Sequence, residues 1–513
     1  MAAASTENNG WRSLGLQEMV NVGSEWKKVA CAFEVPENTK QAIIQLTRFK
    51  VGSYEVDDFS LKRGAVLTTD PVGGYDDRTV PSLSMSGRQF PPKARQDFVR
   101  FLFDTEARYW TGMAAYVKNE LKAKAPISGT QLGYSPAYIQ SKLDYVDIHG
   151  YWRHPSGGWI SLTAKEPWSI GNDSMVNSLG NVLHIGGQRV LNRPYTVSEY
   201  NHPYPNQFGA EGQAMLAVYG RFQGWGGIFQ YSYNHYVDDF EPQAMPWCFF
   251  DLIARTDVLA HFPACSAIFL RGDVREGIET VAAPISEAAC RDQLAAMRSS
   301  GYSVSLQGHD SRLVTVHRAG VVFGDGQPDP AVTFPANQNV FVSDTGEIVW
   351  NREKAAASYL AVNTPNTKLF TGFPQGRTIT LGDVTLSVGK TRLDWATVSL
   401  VSRNASGFGG KGAPASILLS ATGDAGNAGR VMKQVDAKNI TLTDRGHAPM
   451  MVEGIPAALT LPSDPAKTKC YALDPHGDRK TELPVERSAG GSMIAIGPQY
   501  QTVWYEITVG DGQ

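Results

Sequence analysis

Three short stretches carry most of the side chains with useful chemistry: Asp147-Ile148-His149-Gly150-Tyr151-Trp152-Arg153-His154-Pro155, Thr196-Val197-Ser198-Glu199-Tyr200-Asn201-His202-Pro203 and Phe229-Gln230-Tyr231-Ser232-Tyr233-Asn234-His235. Each begins as a β-rich apolar run and ends in polar and aromatic residues. Parallel strands whose C-terminal ends open onto one shared cavity have this pattern. Glu199 follows such a run and stands beside Tyr200 and Asn201, so its carboxylate is expected to be partly desolvated yet able to accept hydrogen bonds. A carboxylate of this kind suits sugar chemistry, in which an oxocarbenium-like transition state is stabilised by negative charge and captured by an oxygen nucleophile. Trp152, Trp159, Trp168 and Trp225 are near enough in sequence to stack on pyranose faces. Read alone, Glu199 is equally a strand-end carboxylate in an ion pair.

The elements that must position these residues follow from periodicity. The window from Tyr145 to Tyr236 holds 16 of the 52 aromatic residues and five of the ten histidines. Within it, strands are expected at Tyr145–His149, Tyr195–Glu199 and Gly227–Tyr231, and helices at Asn181–Val190 and Gly209–Gln223. An earlier short strand is expected at Ile127–Gln131. Alternating strands and helices imply parallel pairing with right-handed crossovers. Upstream, Arg95 to Lys124 carries a helical stripe that ends before Pro126. Residues 11–64 alternate like antiparallel strands, through Trp26, Val29, Cys31 and Phe33, then Ala42, Ile44 and Leu46, then Tyr54, Val56, Phe59 and Leu61. Residues 65–94 read as a linker, and 276–335 as a mixed connection, with Phe269–Asp273 before it as a strand-like run. From 336 to 513 the chain is strands and turns, with hairpins about Thr345-Gly346 and Gly382-Asp383. The fold class is α/β plus all-β.

With these residues in view, the segment from Arg95 to Tyr236 resembles strands five to eight of the catalytic (β/α)8 barrel of retaining glycoside hydrolases of clan A. The His and Tyr of strand six are matched by His149 and Tyr151. The nucleophile at the end of strand seven is matched by Glu199 in Ser198-Glu199-Tyr200-Asn201, and the aromatic of strand eight by Tyr231 or Tyr233. Residues 1–64 resemble the later strands of a jelly-roll carbohydrate-binding module. The resemblance implies a partial barrel over 95–275, between a partial jelly roll and a C-terminal β-sandwich. It implies a hydrolase of β-linked polysaccharide or oligosaccharide, with Glu199 as nucleophile and His149 and Tyr151 as orienting groups. The sugar-binding residues would be Trp152, His154, Tyr200, Asn201, His202, Trp225, Tyr231 and Tyr233. A secreted or periplasmic location goes with the family, although Met1–Gly10 contains no leader pattern.

The chain departs from this family in one respect. Clan A enzymes place the general acid/base Glu after an Asn at the end of strand four, and the only Asn-Glu pair here, Asn119-Glu120, falls in the helical stripe. The sequence is therefore expected to be the C-terminal portion of a longer enzyme, or a chain that completes its barrel by self-association as a homo-oligomer. Glu106, Glu166, Asp173, Glu211, Asp238 and Asp239 are the carboxylates that could replace the acid, Glu166 and Asp173 before the others. The competing reading is a non-catalytic carbohydrate-binding or assembly protein that keeps the cavity without the acid.

Composition narrows the remaining classes. Lys and Arg number 47 against 50 Asp and Glu, a formal charge of −3, so no basic surface is expected to attract nucleic acid. No apolar run approaches the roughly 20 residues of a membrane-spanning helix. Cys31, Cys248, Cys265, Cys290 and Cys470 are odd in number and scattered, and read as buried fillers. No cofactor is expected. His149, His154, His202 and His235 are read as hydrogen-bonding groups for hydroxyls, and no metal is expected. Gly407-Phe408-Gly409-Gly410-Lys411-Gly412 satisfies a dinucleotide-binding string but precedes a strand, and so reads as a turn. Arg271-Gly272-Asp273 is likewise read as a turn.

Overall fold

A computed structural model describes residues 2–5, 12–17, 19–29, 31, 33, 35, 40–47, 49–62, 92–157, 166–235, 246, 248–296, 306 and 308–510. The chain divides into two compact units, one of Met1–Ala123 with Glu287–Tyr302 and one of Lys124–Ser286 with Ser303–Gln513. The linker read over 65–94 falls mostly outside the described residues, as do Trp159, Asp238 and Asp239.

The first unit contains strands β1 (Ala2–Ser5), β2 (Arg12–Gln17) and β3 (Ala42–Gln45), paired antiparallel in the order β2-β1-β3. Leu14 and Leu16 are buried, with Cys31, Phe33 and Ile44 packed against them. The strands expected around Trp26–Phe33 and Tyr54–Leu61 are absent among the described residues. Tyr54, Val56, Phe59 and Leu61 are all exposed. Alternation marks a strand only where a neighbour accepts its backbone bonds, and here the Tyr54 hydroxyl donates locally to Lys50 O. The helical stripe forms α1 (Pro92–Asn119), which begins a turn earlier than its periodicity suggested. It is paired with a helix at Glu287–Ala296 through Arg100–Asp292 at 2.8 Å and Arg291–Asp104 at 2.7 Å.

The second unit is built on three parallel strands, β4 (Val146–Tyr151), β6 (Tyr195–Asn201) and β7 (Gly227–Gln230), in the order β4-β6-β7. A short strand, β5 (Trp168–Gly171), lies between β4 and β6 in sequence. Helices α2 (Gly180–Gly187) and α3 (Gly209–Gln223) make the two crossovers. The described residues show no barrel closure. The strand expected at Ile127–Gln131 does not form: the Thr130 N–H is taken by the Gln140 side chain at 3.1 Å, and only Leu132 N reaches β4, at Asp147 O. Phe269–Asp273 is also no strand. Ala267–Arg271 is helical and ends at Gly272, whose φ of +80° closes the turn, while Arg271 pairs with Asp273 at 2.6 Å. The mixed segment resolves into β8 (Thr280–Ile285) and β9 (Arg318–Phe323), a parallel pair that extends by one bridge to Val190.

C-terminal to β9 lies a β-sandwich of a nine-stranded and a five-stranded antiparallel sheet. Ala396–Ser402 and Ala415–Thr422 lie near the middle of the larger sheet, and side chains such as Phe370, Leu386, Leu419, Leu459 and Ile507 fill the space between layers. Both expected hairpins occur, with Gly346 at φ +71° and Gly382 at φ +67°. The sandwich and the parallel strands share one unit because α3 is buried almost all round, the signature of a helix covered on both sides. Tyr219 on α3 packs 5.5 Å from the Trp350 ring, and Trp350 donates to Val176 O at 2.8 Å. His261 adds bonds to Ser399 and Thr422 of the sandwich.

One excursion of the sandwich matters for the site. Val431–Gln434 and Asn439–Asp444 form a hairpin whose second strand pairs antiparallel with β5, Ile440 opposite Ile170. Leu442 from this hairpin joins Trp168, Tyr204, Phe249 and Phe250 in one buried cluster.

Candidate active site

The two faces of the parallel sheet differ sharply. Val146, Ile148 and Gly150 of β4 turn toward α2, closely enough that a Cβ on Gly150 would lie 2.6 Å from Ile185 Cδ1. Alternation then sends Asp147, His149 and Tyr151 to the opposite face. On β6 the register slips: Ile148 pairs with Val197, but His149 pairs with Glu199, leaving Ser198 as an extra residue. The same slip appears against β7. This bulge brings Glu199 to the face of Asp147, His149 and Tyr151, whereas unbroken alternation would have turned it with Val197 toward the helices.

On that face Glu199 Oε2 accepts a hydrogen bond from the Tyr151 hydroxyl at 2.5 Å, and His149 Nδ1 stands 2.6 Å from the same oxygen as an ion-pair contact. Among the described residues no donor reaches Oε1. The Glu199 side chain is 24% exposed and that of His149 25%, so the carboxylate is held without being sealed. His149 Nε2 lies 3.1 Å from Ser198 Oγ, which donates to Asp147 Oδ2 at 2.6 Å. Asp147 also accepts from Ser198 N and Thr196 Oγ1. The result is a chain from Asp147 through Ser198 and His149 to Glu199. Burial raises the Tyr151 phenol well above its usual range, helped by its bond to Glu199, so it stays a donor. Tyr231 is raised too, by burial and then by the Glu199 charge.

An aromatic wall stands beside this triad. The Phe250 ring lies 5.0 Å from Tyr151, 5.3 Å from His154 and 5.5 Å from Tyr231. Asn201 fixes the wall from behind: its side-chain N–H groups donate to Tyr231 O and to Phe250 O.

The proposed sugar-binding residues therefore separate into two groups. His154 and Tyr231 line the wall, and Tyr233 is exposed just beyond it. The others turn away from the face that carries Glu199. Trp152 is buried, donating to Asp173 O under the Arg153 guanidinium. The Tyr200 hydroxyl points at Met175 Sδ, and Asn201 is a buried backbone clamp. His202 bonds to Asn206 at 2.9 Å, and burial drives its pKa down to about 3, so it is a neutral structural group. Trp225 precedes β7 and packs on Tyr195, at the end of the sheet opposite to Glu199. Trp168 is buried beneath Arg445.

Three of the carboxylates considered as replacement acids, Asp173, Glu211 and Glu106, are committed elsewhere. Asp173 is held by Arg153 through two bonds, at 2.7 and 2.5 Å. Glu211 is fully buried, accepts from Ser174 Oγ and Met175 N, and is pushed up to about 8 by burial. Glu106 bonds to Trp110 on α1. Glu166 is exposed and its backbone carbonyl accepts from Arg445. None of these four bonds to Glu199, His149 or Tyr151.

Asp147, Ser198 and Phe250 were not anticipated from the sequence. Asp147 stood two residues before His149, a spacing that puts both on one face of a strand. No local signal marked Ser198 or Phe250. No protein-family model, curated protein or solved structure matches this chain.

Proposed function

We propose that the protein is a retaining glycoside hydrolase acting on β-linked polysaccharide or oligosaccharide, with Glu199 as the nucleophile. One observation carries this reading. The Tyr151 hydroxyl and His149 Nδ1 both meet Glu199 at Oε2, at 2.5 and 2.6 Å, which leaves Oε1 to attack an anomeric carbon from the open face of the sheet. These two contacts on one oxygen hold the carboxylate aimed, and the Tyr151 hydrogen bond also stabilises it as the leaving group when the glycosyl-enzyme is hydrolysed. Tyr231, His154 and Phe250 supply apolar faces for the ring that sits there.

Because the described carboxylates offer no acid beside this nucleophile, the first chemical step depends on the leaving group. Loss of acid assistance costs a factor of about 10² to 10⁴. Dinitrophenyl glycosides, which leave without protonation, are expected to be cleaved, alkyl glycosides far more slowly. Glu199→Gln abolishes the cleavage, and a 2-deoxy-2-fluoro glycoside with the same leaving group traps an ester whose mass localises to the peptide containing Glu199. Equal rates for wild type and Glu199→Gln would overturn the assignment. That no such acid stands beside Glu199 among the described residues also supports the second reading, a non-catalytic carbohydrate-binding protein, which binding without turnover on every activated glycoside would favour. If a second copy completes the barrel and brings the acid, a concentrated sample cleaves alkyl glycosides and a dilute one does not.

A further inference from the structure

Beyond the triad, the segment after β7 and the turn at residues 248–251 bring three different donors together. His235 Nδ1 lies 2.6 Å from Asp251 Oδ1, and with Cys248 Sγ the ligating atoms are all within 4.8 Å of one another. Cys248 and Asp251 are completely buried, and the His235 side chain is 9% exposed. Asp251 is held in place by the backbone, since Oδ1 accepts from His235 N at 3.1 Å and Oδ2 from Cys248 N at 2.8 Å. Such bonds orient a ligand before an ion arrives.

The donor set selects the ion. A thiolate, an imidazole and a carboxylate together suit a borderline-soft cation, whereas magnesium and calcium favour oxygen alone. Charge supports the same choice, because a divalent ion balances one thiolate and one carboxylate beside a neutral imidazole, leaving no net charge in a buried place.

We propose that His235, Cys248 and Asp251 bind one divalent cation of the zinc class, with water as the fourth ligand. Binding displaces the thiol proton and the proton on the coordinating imidazole nitrogen, and no electrons change hands. The role follows from the neighbours. The His235 ring lies 5.4 Å from Tyr231 and 6.5 Å from Phe250, so an ion here ties together the two segments that form the aromatic wall. The inference stands independently of the glycosidase reading, since it concerns ligands rather than turnover.

The test uses the full chain, stripped with chelator, loaded with zinc or cobalt and freed of excess by gel filtration. Wild type is expected to retain about one equivalent of metal, and the cobalt form to show a thiolate-to-metal charge-transfer band in the near ultraviolet. Cys248→Ser and His235→Ala each lower the retained metal by about tenfold or more, and Cys248→Ser removes the band. Cys31→Ser leaves both unchanged. Wild type that retains no metal, a cobalt form without the band, or a Cys248→Ser variant that keeps it would each overturn the proposal and leave a buried His–Asp ion pair. If Cys248→Ser is not folded by circular dichroism, X-ray absorption of the zinc-loaded wild type decides: one sulfur among lighter donors supports the site, and no sulfur ends it.

Discussion

Tyr151 and His149 converge on one oxygen of Glu199, so removing either group tests how much the carboxylate depends on being held. A hydrogen bond to a charged group contributes about 1.5–3 kcal/mol, and Tyr151→Phe is therefore expected to lower kcat on activated aryl glycosides by roughly ten- to a hundredfold. KM changes little, because the lost bond is to the nucleophile rather than to the sugar. Ser198→Ala acts one step further out. Ser198 Oγ links Asp147 to His149 Nε2, and without it the imidazole loses the partner that fixes its orientation. A fall in kcat with KM preserved, together with an altered acid limb of the pH profile, marks Ser198 as a positioning residue; a change in thermal stability alone would reduce it to a structural one. His149, Tyr151 and Glu199 were legible in the sequence as polar residues at strand ends. Their convergence was not, because strict alternation would set Glu199 on the face of Val197, and only the extra residue in β6 reverses that.

At the scale of elements, α2 and α3 are placed by close contacts that small residues allow. Gly150→Ala would drive a methyl group to 2.6 Å from Ile185 Cδ1, and overpacking of this kind costs about 1–3 kcal/mol. Ile185→Val removes that carbon, so the double variant is expected to recover part of the loss in a denaturant-unfolding cycle; no recovery would mean that α2 is not held by this contact. Glu211, at the start of α3, supplies a pH dependence whose sign is fixed by its burial. Its pKa is pushed up to about 8 in the fold and is near the ordinary value of 4.5 when unfolded. Stability from this group is thus fully present below about pH 4.5 and declines as pH rises through about 8. His261, held down to about 4 by burial, works from the other side, costing stability as pH falls from about 6.5 toward 4. Glu211→Gln is expected to flatten the alkaline decline in thermal midpoint between pH 5 and 8 while leaving the acid limb unchanged. The Gly209–Gln223 helix itself was legible to the residue, because its flanking signals are local. The strand expected at Ile127–Gln131 was not correctly read, since the Gln140 side chain that takes the Thr130 N–H leaves no pattern in the segment it disrupts.

Over the whole molecule, the wall beside Glu199 rests on residues far away in sequence. Leu442 packs with Trp168, Phe249 and Phe250, and Leu442→Ala removes about 2–5 kcal/mol of core packing. The variant is expected to lose activity on aryl glycosides at temperatures where its circular dichroism is still native, because Phe250 supports Tyr151 before the fold fails. Unchanged activity up to the unfolding midpoint would show that the wall is not catalytically coupled. The C-terminal sandwich was readable from its turns, where Gly346 and Gly382 permit the left-handed conformation a tight hairpin needs. Its hairpin pairing with β5 was not readable, because a strand's partner across more than 250 residues is set by tertiary fit rather than by local pattern. The same limit explains why half a jelly roll was read from alternation where, among the described residues, three strands pair.

The pairing of Asn439–Asp444 with β5 gives the molecule a property that neither half has alone. A sandwich appended behind a catalytic region is ordinarily portable, removable by protease or exchangeable between enzymes at its linker. Here one of its ribbons is stitched into the region it follows, so trimming the C-terminal third leaves β5 paired only through Ser169 to Ser156 and takes Leu442 and Arg445 from Trp168. Engineers who want a smaller protein, or a different rear module, would have to graft residues 425–452 along with the face that carries Glu199.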